Sequence, residues 1–127
     1  MGNKIIIKGR IPEGFKNITV NFLHGAVKWH PYVGTTVLQL NIKRNISCLN
    51  SYAYNHKHYR WLSGLPGDCQ NHLNLEEGQR IRISINQIND DNLKSDIETE
   101  ENIIEMFYRM LIPLSMTEYI EVIIIRA

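Results

Sequence analysis

Short segments of apolar or alternating residues recur roughly every ten positions along the chain, with turn-forming residues in many of the gaps. β-Branched residues are abundant in these segments, which favours strands over helices. The segments predicted as strands are KIIIKG, NITVNFLHG, TTVLQLNIK, NISCLNS, QRIRISIN, NLKSDI, IIEMFYRM and EYIEVIII. Their number and spacing predict a single all-β domain over residues 1–127, folded as a sandwich or barrel.

Two of these segments form a predicted hairpin within VLQLNIKRNISCLNSY, residues 37–52, with Arg44 and Asn45 as a two-residue loop. Because side chains alternate between the two faces of a strand, one face of the hairpin is apolar and the other is polar. The pairs expected opposite each other on the polar face are Gln39 with Asn50, Asn41 with Cys48, and Lys43 with Ile46. The residues expected in the core, here and in the strand QRIRISIN, are Leu38, Leu40, Ile42, Leu49, Ile81, Ile83 and Ile85.

Two stretches fit the strand pattern less clearly. The stretch DIETEENIIEMFYRML, residues 96–111, also suits an amphipathic helix, because its isoleucines and Phe107 recur at nearly helical spacing. The stretch from Tyr52 to His72 is rich in aromatic residues, histidines and turn formers. We expect it to be an irregular loop, of the kind that carries binding residues on a rigid sheet.

Composition excludes several classes of function. The chain is 43% hydrophobic, and no apolar run approaches the roughly 20 residues that cross a bilayer. A net charge of +1 provides no field that would attract nucleic acid. The start MGNKIIIKGR lacks the apolar core of a signal peptide, so a leaderless cytoplasmic protein is expected, with export without a signal peptide left open. The two cysteines lack the spacing of a zinc site or a disulfide framework, and reduced thiols are expected.

No motif for a catalytic serine, a zinc protease or a phosphate-binding loop occurs in the sequence. The metal-capable residues that share one segment are His56, His58, Cys69 and His72. They lack a recognised zinc spacing, so we expect no metal, no cofactor and no enzyme activity. Trp29 and His30 precede the hairpin and either flank a binding site or anchor their own loop.

Several segments resemble, in order, the motifs of one known protein family. GRIPEGFKNITVNFLHG resembles the opening glycine, the proline and glycine that follow, and the second strand. LQLNIK resembles the H-x-N-P-R stretch of the family, and CLNSY resembles V-x-N-S. LNLEEGQRIRISI is similar to F-P-F-x-x-G-x-x-F, and FYRMLIPLSMTEYIEV to H-R-x-x-L and the closing strand, with Tyr108 in place of histidine. Taken in this order, the segments resemble the carbohydrate-recognition domain of the galectin family, and the resemblance covers nearly the whole chain.

This resemblance implies a jelly-roll of two antiparallel sheets with a sugar site on one of them. Asn41 and Asn50 match sugar-contact positions of the family in identity. Gln39 stands where the family has a histidine, and Lys43 where it has an arginine. Trp61 corresponds to the tryptophan of W-G-x-E-x-R, whose glutamate and arginine do not follow at the expected spacing. The resemblance therefore implies an altered β-galactoside site.

The chemistry of these residues suits carbohydrate. An amide side chain offers an oxygen and an NH₂ group to adjacent hydroxyls, an ammonium adds charge-assisted donation, and an indole packs against the C–H face of a pyranose. The expected carbohydrate-binding residues are Gln39, Asn41, Lys43, Asn50 and Trp61. The expected function is that of a lectin whose partners are glycans or glycoconjugates, with a homodimer left open. The alternative is a galectin-related interaction or structural domain that has lost sugar binding, in which the polar row is only a solvated face.

Overall fold

The computed structural model describes residues 3–24, 35–55, 60–63, 68–109 and 113–126. Within these ranges the regular elements are ten β-strands and one 3-10 turn, Leu114–Met116. The strands are β1 (Lys4–Arg10), β2 (Phe15–His24), β3 (Thr35–Lys43), β4 (Ile46–Asn55), β5 (Arg60–Ser63), β6 (Asp68–Asn71), β7 (Arg80–Gln87), β8 (Asn92–Glu98), β9 (Ile103–Arg109) and β10 (Tyr119–Arg126).

The strands form two antiparallel sheets. The four-stranded sheet has the order β1-β7-β8-β9, and the six-stranded sheet has the order β10-β2-β3-β4-β5, with β6 also paired to β4. β6 pairs with the first half of β4 and β5 with the second half, so these two short strands follow each other along one edge of β4. The prediction of an all-β sandwich of antiparallel sheets is confirmed.

Apolar side chains from both sheets meet in one core cluster. The seven residues that alternation assigned to the core are all buried, and none exposes more than 8% of its surface. On the six-stranded sheet, Leu40 lies between Val20 and Leu49 of the adjacent strands. On the four-stranded sheet, Ile83 lies opposite Ile97. Burying an aliphatic side chain of this size stabilises a fold by about 1.5–3 kcal/mol, so this layer is what holds the two sheets together.

The hairpin of β3 and β4 has the predicted register. Gln39 lies opposite Asn50, and Asn41 lies opposite Cys48. β3 ends at Lys43 and β4 begins at Ile46, which leaves two residues for the turn. Because a shift of one residue would turn the apolar face of β3 toward solvent, the alternating pattern determines the register strongly.

The helical alternative for residues 96–111 is wrong. β8 ends at Glu98 and β9 begins at Ile103, and alternate residues of β9 are buried, which is the period of a strand. The turn between them is closed by Thr99, whose backbone N–H donates to the carbonyl of Asn102 at 2.9 Å and whose hydroxyl accepts from the Asn102 N–H at 3.0 Å. Among the described residues, no helix is long and apolar enough to span a bilayer.

The stretch from Tyr52 to His72 is also more regular than predicted. Its described parts extend β4 to Asn55 and add the strands β5 and β6. The expectation of reduced thiols is wrong as well, because Cys48 of β4 and Cys69 of β6 form a disulfide. The two cysteines are register partners in adjacent strands, with Cα atoms 4.1 Å apart, so the sheet itself brings them together.

Candidate functional site

The outward face of the six-stranded sheet carries a patch of amide and hydroxyl side chains. We call this patch the polar face and define it as Asn17, Thr19, Asn21, Gln39, Asn41, Lys43 and Asn50. Alternation places these residues on the side of β2, β3 and β4 that is opposite the core. The register aligns them in rows, with Asn21 beside Gln39, Thr19 beside Asn41, and Asn17 beside Lys43.

A chain of hydrogen bonds crosses the polar face. Gln39 Nε2 donates to Asn21 Oδ1 at 3.0 Å, and Asn21 Nδ2 donates to Glu121 Oε1 on β10 at 3.1 Å. The carboxylate of Glu121 accepts from Asn21, so it determines which way both amides point. The Oε1 atom of Gln39 makes no hydrogen bond to another described residue, so an acceptor remains for a ligand hydroxyl.

The neighbouring row, Thr19 and Asn41, offers a hydrogen-bond donor, whereas Gln39 offers an acceptor. Thr19 Oγ1 donates to Asn41 Oδ1 at 3.4 Å, which leaves the Asn41 NH₂ group as a donor. The side chains of Asn50 and Lys43 make no hydrogen bond or ion pair with another described residue. Asn50 is partly buried and Lys43 is exposed. The polar face therefore presents an acceptor, a donor, a complete amide and an ammonium on two adjacent strands, β3 and β4.

The structure brings four of the five predicted sugar-contact residues together. Gln39, Asn41, Lys43 and Asn50 share the polar face. Trp61 lies in strand β5 rather than in a loop, with its backbone in register with Tyr54 of β4, and its side chain lies outside the described part of the chain. The other tryptophan and the histidines considered above, Trp29, His30, His56 and His58, also lie outside the described residues.

Sequence reasoning missed three residues that shape this face, namely Thr19, Asn21 and Glu121. The alternation in NITVNFLH predicts that Thr19 and Asn21 share one face of β2, and that signal could have placed them in the site. Glu121 could not be assigned in this way, because its bond to Asn21 joins residues 100 positions apart.

The disulfide borders the polar face. Cys48 lies directly opposite Asn41 on one side and Cys69 on the other. It is partly exposed, and Cys69 is exposed. The disulfide therefore joins β6 to β4 beside the predicted sugar-contact residue Asn41.

On the side of β4 away from the polar face, a serine and a histidine lie within hydrogen-bond distance, as a catalytic nucleophile and its base would. Ser47 Oγ lies 3.0 Å from His72 Nε2, and His72 Nδ1 lies 2.7 Å from the carbonyl oxygen of Leu73. Ser47 is 0% exposed, so no substrate can reach its hydroxyl. Within the described residues no group of three or more histidine, cysteine, aspartate or glutamate side chains is placed to hold a metal ion.

Comparison with solved structures identifies the architecture. The galectin-Ib of Xenopus laevis superimposes with a TM-score of 0.59 at 18% identity, over 94% of this chain and 89% of that one. A toad ovary galectin in complex with thio-digalactose superimposes with a TM-score of 0.58 at 15% identity, over 94% and 87%. The fold is the galectin fold. Neither a protein-family model nor a curated protein sequence matches the chain, so the likeness to galectins concerns the fold.

Proposed function

We propose that residues 1–127 form one galectin-like lectin domain that binds glycans non-covalently on the polar face, without enzyme activity, cofactor or metal. The observation that carries the proposal is the set of amides that the hydrogen-bond chain from Glu121 orients. Oriented donors and acceptors bind ligands more strongly than mobile ones, because less side-chain freedom is lost on binding. The complex of the toad ovary galectin with thio-digalactose supports a sugar as the ligand class for this fold.

The proposed site differs from the galectin pattern in its charges. Gln39 and Lys43 stand where the family resemblance implies histidine and arginine, and the glutamate and arginine after Trp61 are missing. Each lost hydrogen-bond partner costs about 1–3 kcal/mol of binding energy. Two or three such losses amount to about a hundredfold or more in affinity. We therefore expect lactose and thio-digalactose to bind only in the millimolar range or more weakly.

A glycan panel that includes lactose and thio-digalactose, followed by titration calorimetry of the best ligand, tests the proposal. Asn41→Ala and Trp61→Ala should each lose about 1–3 kcal/mol of binding energy. Lys94→Ala is the matched control, because Lys94 lies on the other sheet, and its binding should equal that of the parent. Equal melting temperatures for the parent and all three variants are required, so that a loss of binding reports the site.

Two results would contradict this function. If no glycan of the panel binds, or if both site variants bind like the parent, the polar face is a solvated surface. A micromolar dissociation constant for lactose would contradict only the altered specificity, and would show that groups outside the predicted set have replaced the missing partners.

A second candidate function is an interaction domain that has lost sugar binding and associates with a second copy of itself. The observation that favours it is β10, an edge strand whose residues Val122, Ile123, Ile124 and Ile125 are each 42–49% exposed. An apolar edge strand with free backbone groups is a template for pairing with another strand. Sedimentation velocity should show a dimer that Ile125→Lys converts to monomer, whereas a monomeric parent would contradict this candidate.

The disulfide bears on where the protein acts. Of the two expected locations, cytoplasmic and exported, the Cys48–Cys69 bond favours the exported one, because the cytosol keeps thiols reduced. Alkylation of the native protein followed by mass spectrometry tests this. Alkylated Cys48 and Cys69 in material from its natural location would place the working protein in the reducing cytosol.

A further inference from the structure

A cluster of cations lies on the outward face of the four-stranded sheet, remote from the polar face. Lys8 of β1 is directly opposite Arg82 of β7, and Arg10 is directly opposite Arg80. Directly opposite residues have Cβ atoms about 4.5–5.5 Å apart, and diagonal neighbours about 7–8 Å. We call these four residues the basic cluster.

The carboxylates around the basic cluster neutralise only half of its charge. Arg82 Nη1 lies 3.7 Å from Glu98 Oε1. Glu100 Oε1 accepts a hydrogen bond from the backbone N–H of Arg80 at 3.2 Å. Glu98 and Glu100 are the carboxylates that line the cleft between these strands, against four cations. Two positive charges are therefore in excess here, whereas the whole chain has a net charge of only +1.

The four cations of the basic cluster differ in what their side chains contact. Arg10 Nη1 donates to the carbonyl of Gly78 at 3.0 Å. The side chains of Lys8 and Arg80, in contrast, make no hydrogen bond or ion pair with another residue in the described part of the chain. These two residues are diagonal neighbours in the register. Two cations whose side chains have no hydrogen bond or ion pair among the described residues thus lie at diagonal positions, about 7–8 Å apart, on one face of one sheet.

Charge repulsion within the basic cluster is destabilising. Like charges directly opposite each other in a sheet are destabilising, and the basic cluster contains two such pairs side by side. Hydrogen bonds from the backbone N–H groups of Glu100 itself and of Arg80, and to a smaller extent the charges of Arg80 and Arg10, hold the pKa of Glu100 below its usual range. A bound anion would relieve the repulsion.

The basic cluster also borders an open cleft with room for a ligand. A cleft of about 620 Å³ lies between β1, β7 and the turn after β8, and all four cations line it. This volume falls in the range of small-molecule sites, which is about 300–1,000 Å³. Thr99 lines the same cleft and adds a hydroxyl.

We propose that the basic cluster is a second binding site, for a small ligand that carries two phosphate or sulfate groups. Guanidinium groups match the tetrahedral oxygens of these anions with paired N–H donors, and a lysine adds a mobile point charge. Lys8 and Arg80 each take one anionic group, while Arg10 and Arg82 border the ligand. This site is independent of sugar binding on the polar face.

Titration with pyrophosphate and with a disulfated lactose, followed by amide NMR shifts, tests the site and separates the two sources of anion. Saturable shifts are expected at residues 8–10 and 80–82, and unsulfated lactose should not produce them. Binding should weaken several-fold between about 50 and about 150 mM salt, because exposed charges are screened over about 10 Å. Lys8→Gln and Arg80→Gln should each weaken it by about threefold or more, and the double variant should abolish it.

Lys4→Gln is the matched control, because Lys4 lies on the same face of the same strand and outside the cleft. It should bind pyrophosphate and the disulfated lactose as the parent does. Binding of pyrophosphate alone would assign the site to phosphate, and binding of disulfated lactose alone would assign it to sulfated sugar. The proposal is overturned if neither probe shifts these resonances at millimolar concentration, or if the double variant binds as the parent does.

Discussion

The outward faces of the two sheets use different chemistry to remain ordered in water. On the polar face of the six-stranded sheet, neutral amides bond to one another, with Gln39 joined to Asn21 at 3.0 Å. On the four-stranded sheet the side-chain contacts are ionic, such as Lys94 to Glu105 at 3.3 Å and Arg82 to Glu98 at 3.7 Å. Because an amide both donates and accepts, a row of amides can bond together and still offer atoms to a ligand.

This difference indicates what each face can bind. A row of amides that are hydrogen-bonded to one another has fixed donors and acceptors at short spacing, which suits the neutral hydroxyls of a sugar. A field of exposed charges attracts ions over a longer range, and its contacts weaken as salt increases. The hydrogen bond from Lys94 to Glu105, with the charge of Asp96, raises the pKa of Lys94.

The largest expected effect is on stability, and it compares a buried position of β3 with an outward position of the same strand. Leu40→Asp should unfold the domain, because an unpaired carboxylate in the core costs several kcal/mol against a total stability of about 5–15 kcal/mol. Asn41→Asp, at the next position on the polar face, should remain folded. Thermal unfolding followed by circular dichroism checks both. A Leu40→Asp variant that melts like the parent would contradict the core assignment.

The second effect concerns the covalent link, which only the six-stranded sheet has among the described residues. The disulfide joins residues 21 positions apart, and removing a cross-link of this length costs about 3 kcal/mol. The double variant Cys48→Ser with Cys69→Ser should lose this amount in urea unfolding. Reduction of the parent should reproduce the loss, and an unchanged urea midpoint after reduction would show that the link contributes nothing.

The third effect compares an interlocked amide with a partly exposed ion pair. Asn21→Ala should lose about 1 kcal/mol of stability, because Gln39 and Glu121 both lose a partner in a half-buried place. Lys94→Ala should show no measurable loss, because ion pairs at a partly exposed surface contribute little. Chemical denaturation of the two variants beside the parent checks the order, and a larger loss for Lys94→Ala would reverse the comparison.

The smallest expected effect is a gain of stability. Lys8→Gln removes one repulsion from the basic cluster and should stabilise the protein by about 0.3 kcal/mol at low salt. Lys4→Gln, on the same face but outside the basic cluster, should not. The difference should shrink as salt is added. A loss of stability on Lys8→Gln would show that the lysine has a favourable contact.

The parts of the fold that follow from local patterns could be predicted from the sequence. Strict alternation around a two-residue turn is enough to place Gln39 opposite Asn50 and Leu40 in the core. β6 could not be predicted, because its residues, DCQN, have no apolar alternation and its pairing depends on the edge of β4. The Cys48–Cys69 bond and the contact of Glu121 were missed for the same reason, since both depend on which strands become neighbours in the sheet.

The two edges of the six-stranded sheet differ in the length of strand that they offer for pairing with another chain. β10 offers eight consecutive residues, whereas the outer side of β4 is covered by β5 and β6, which have four residues each. Short border strands offer too few free backbone groups in a row to extend a ladder. If two copies pair through β10, each copy uses its long edge strand. The combined sheet then has the short strands β5 and β6 at both of its outer edges. Such an assembly is closed at two copies and does not grow into a filament.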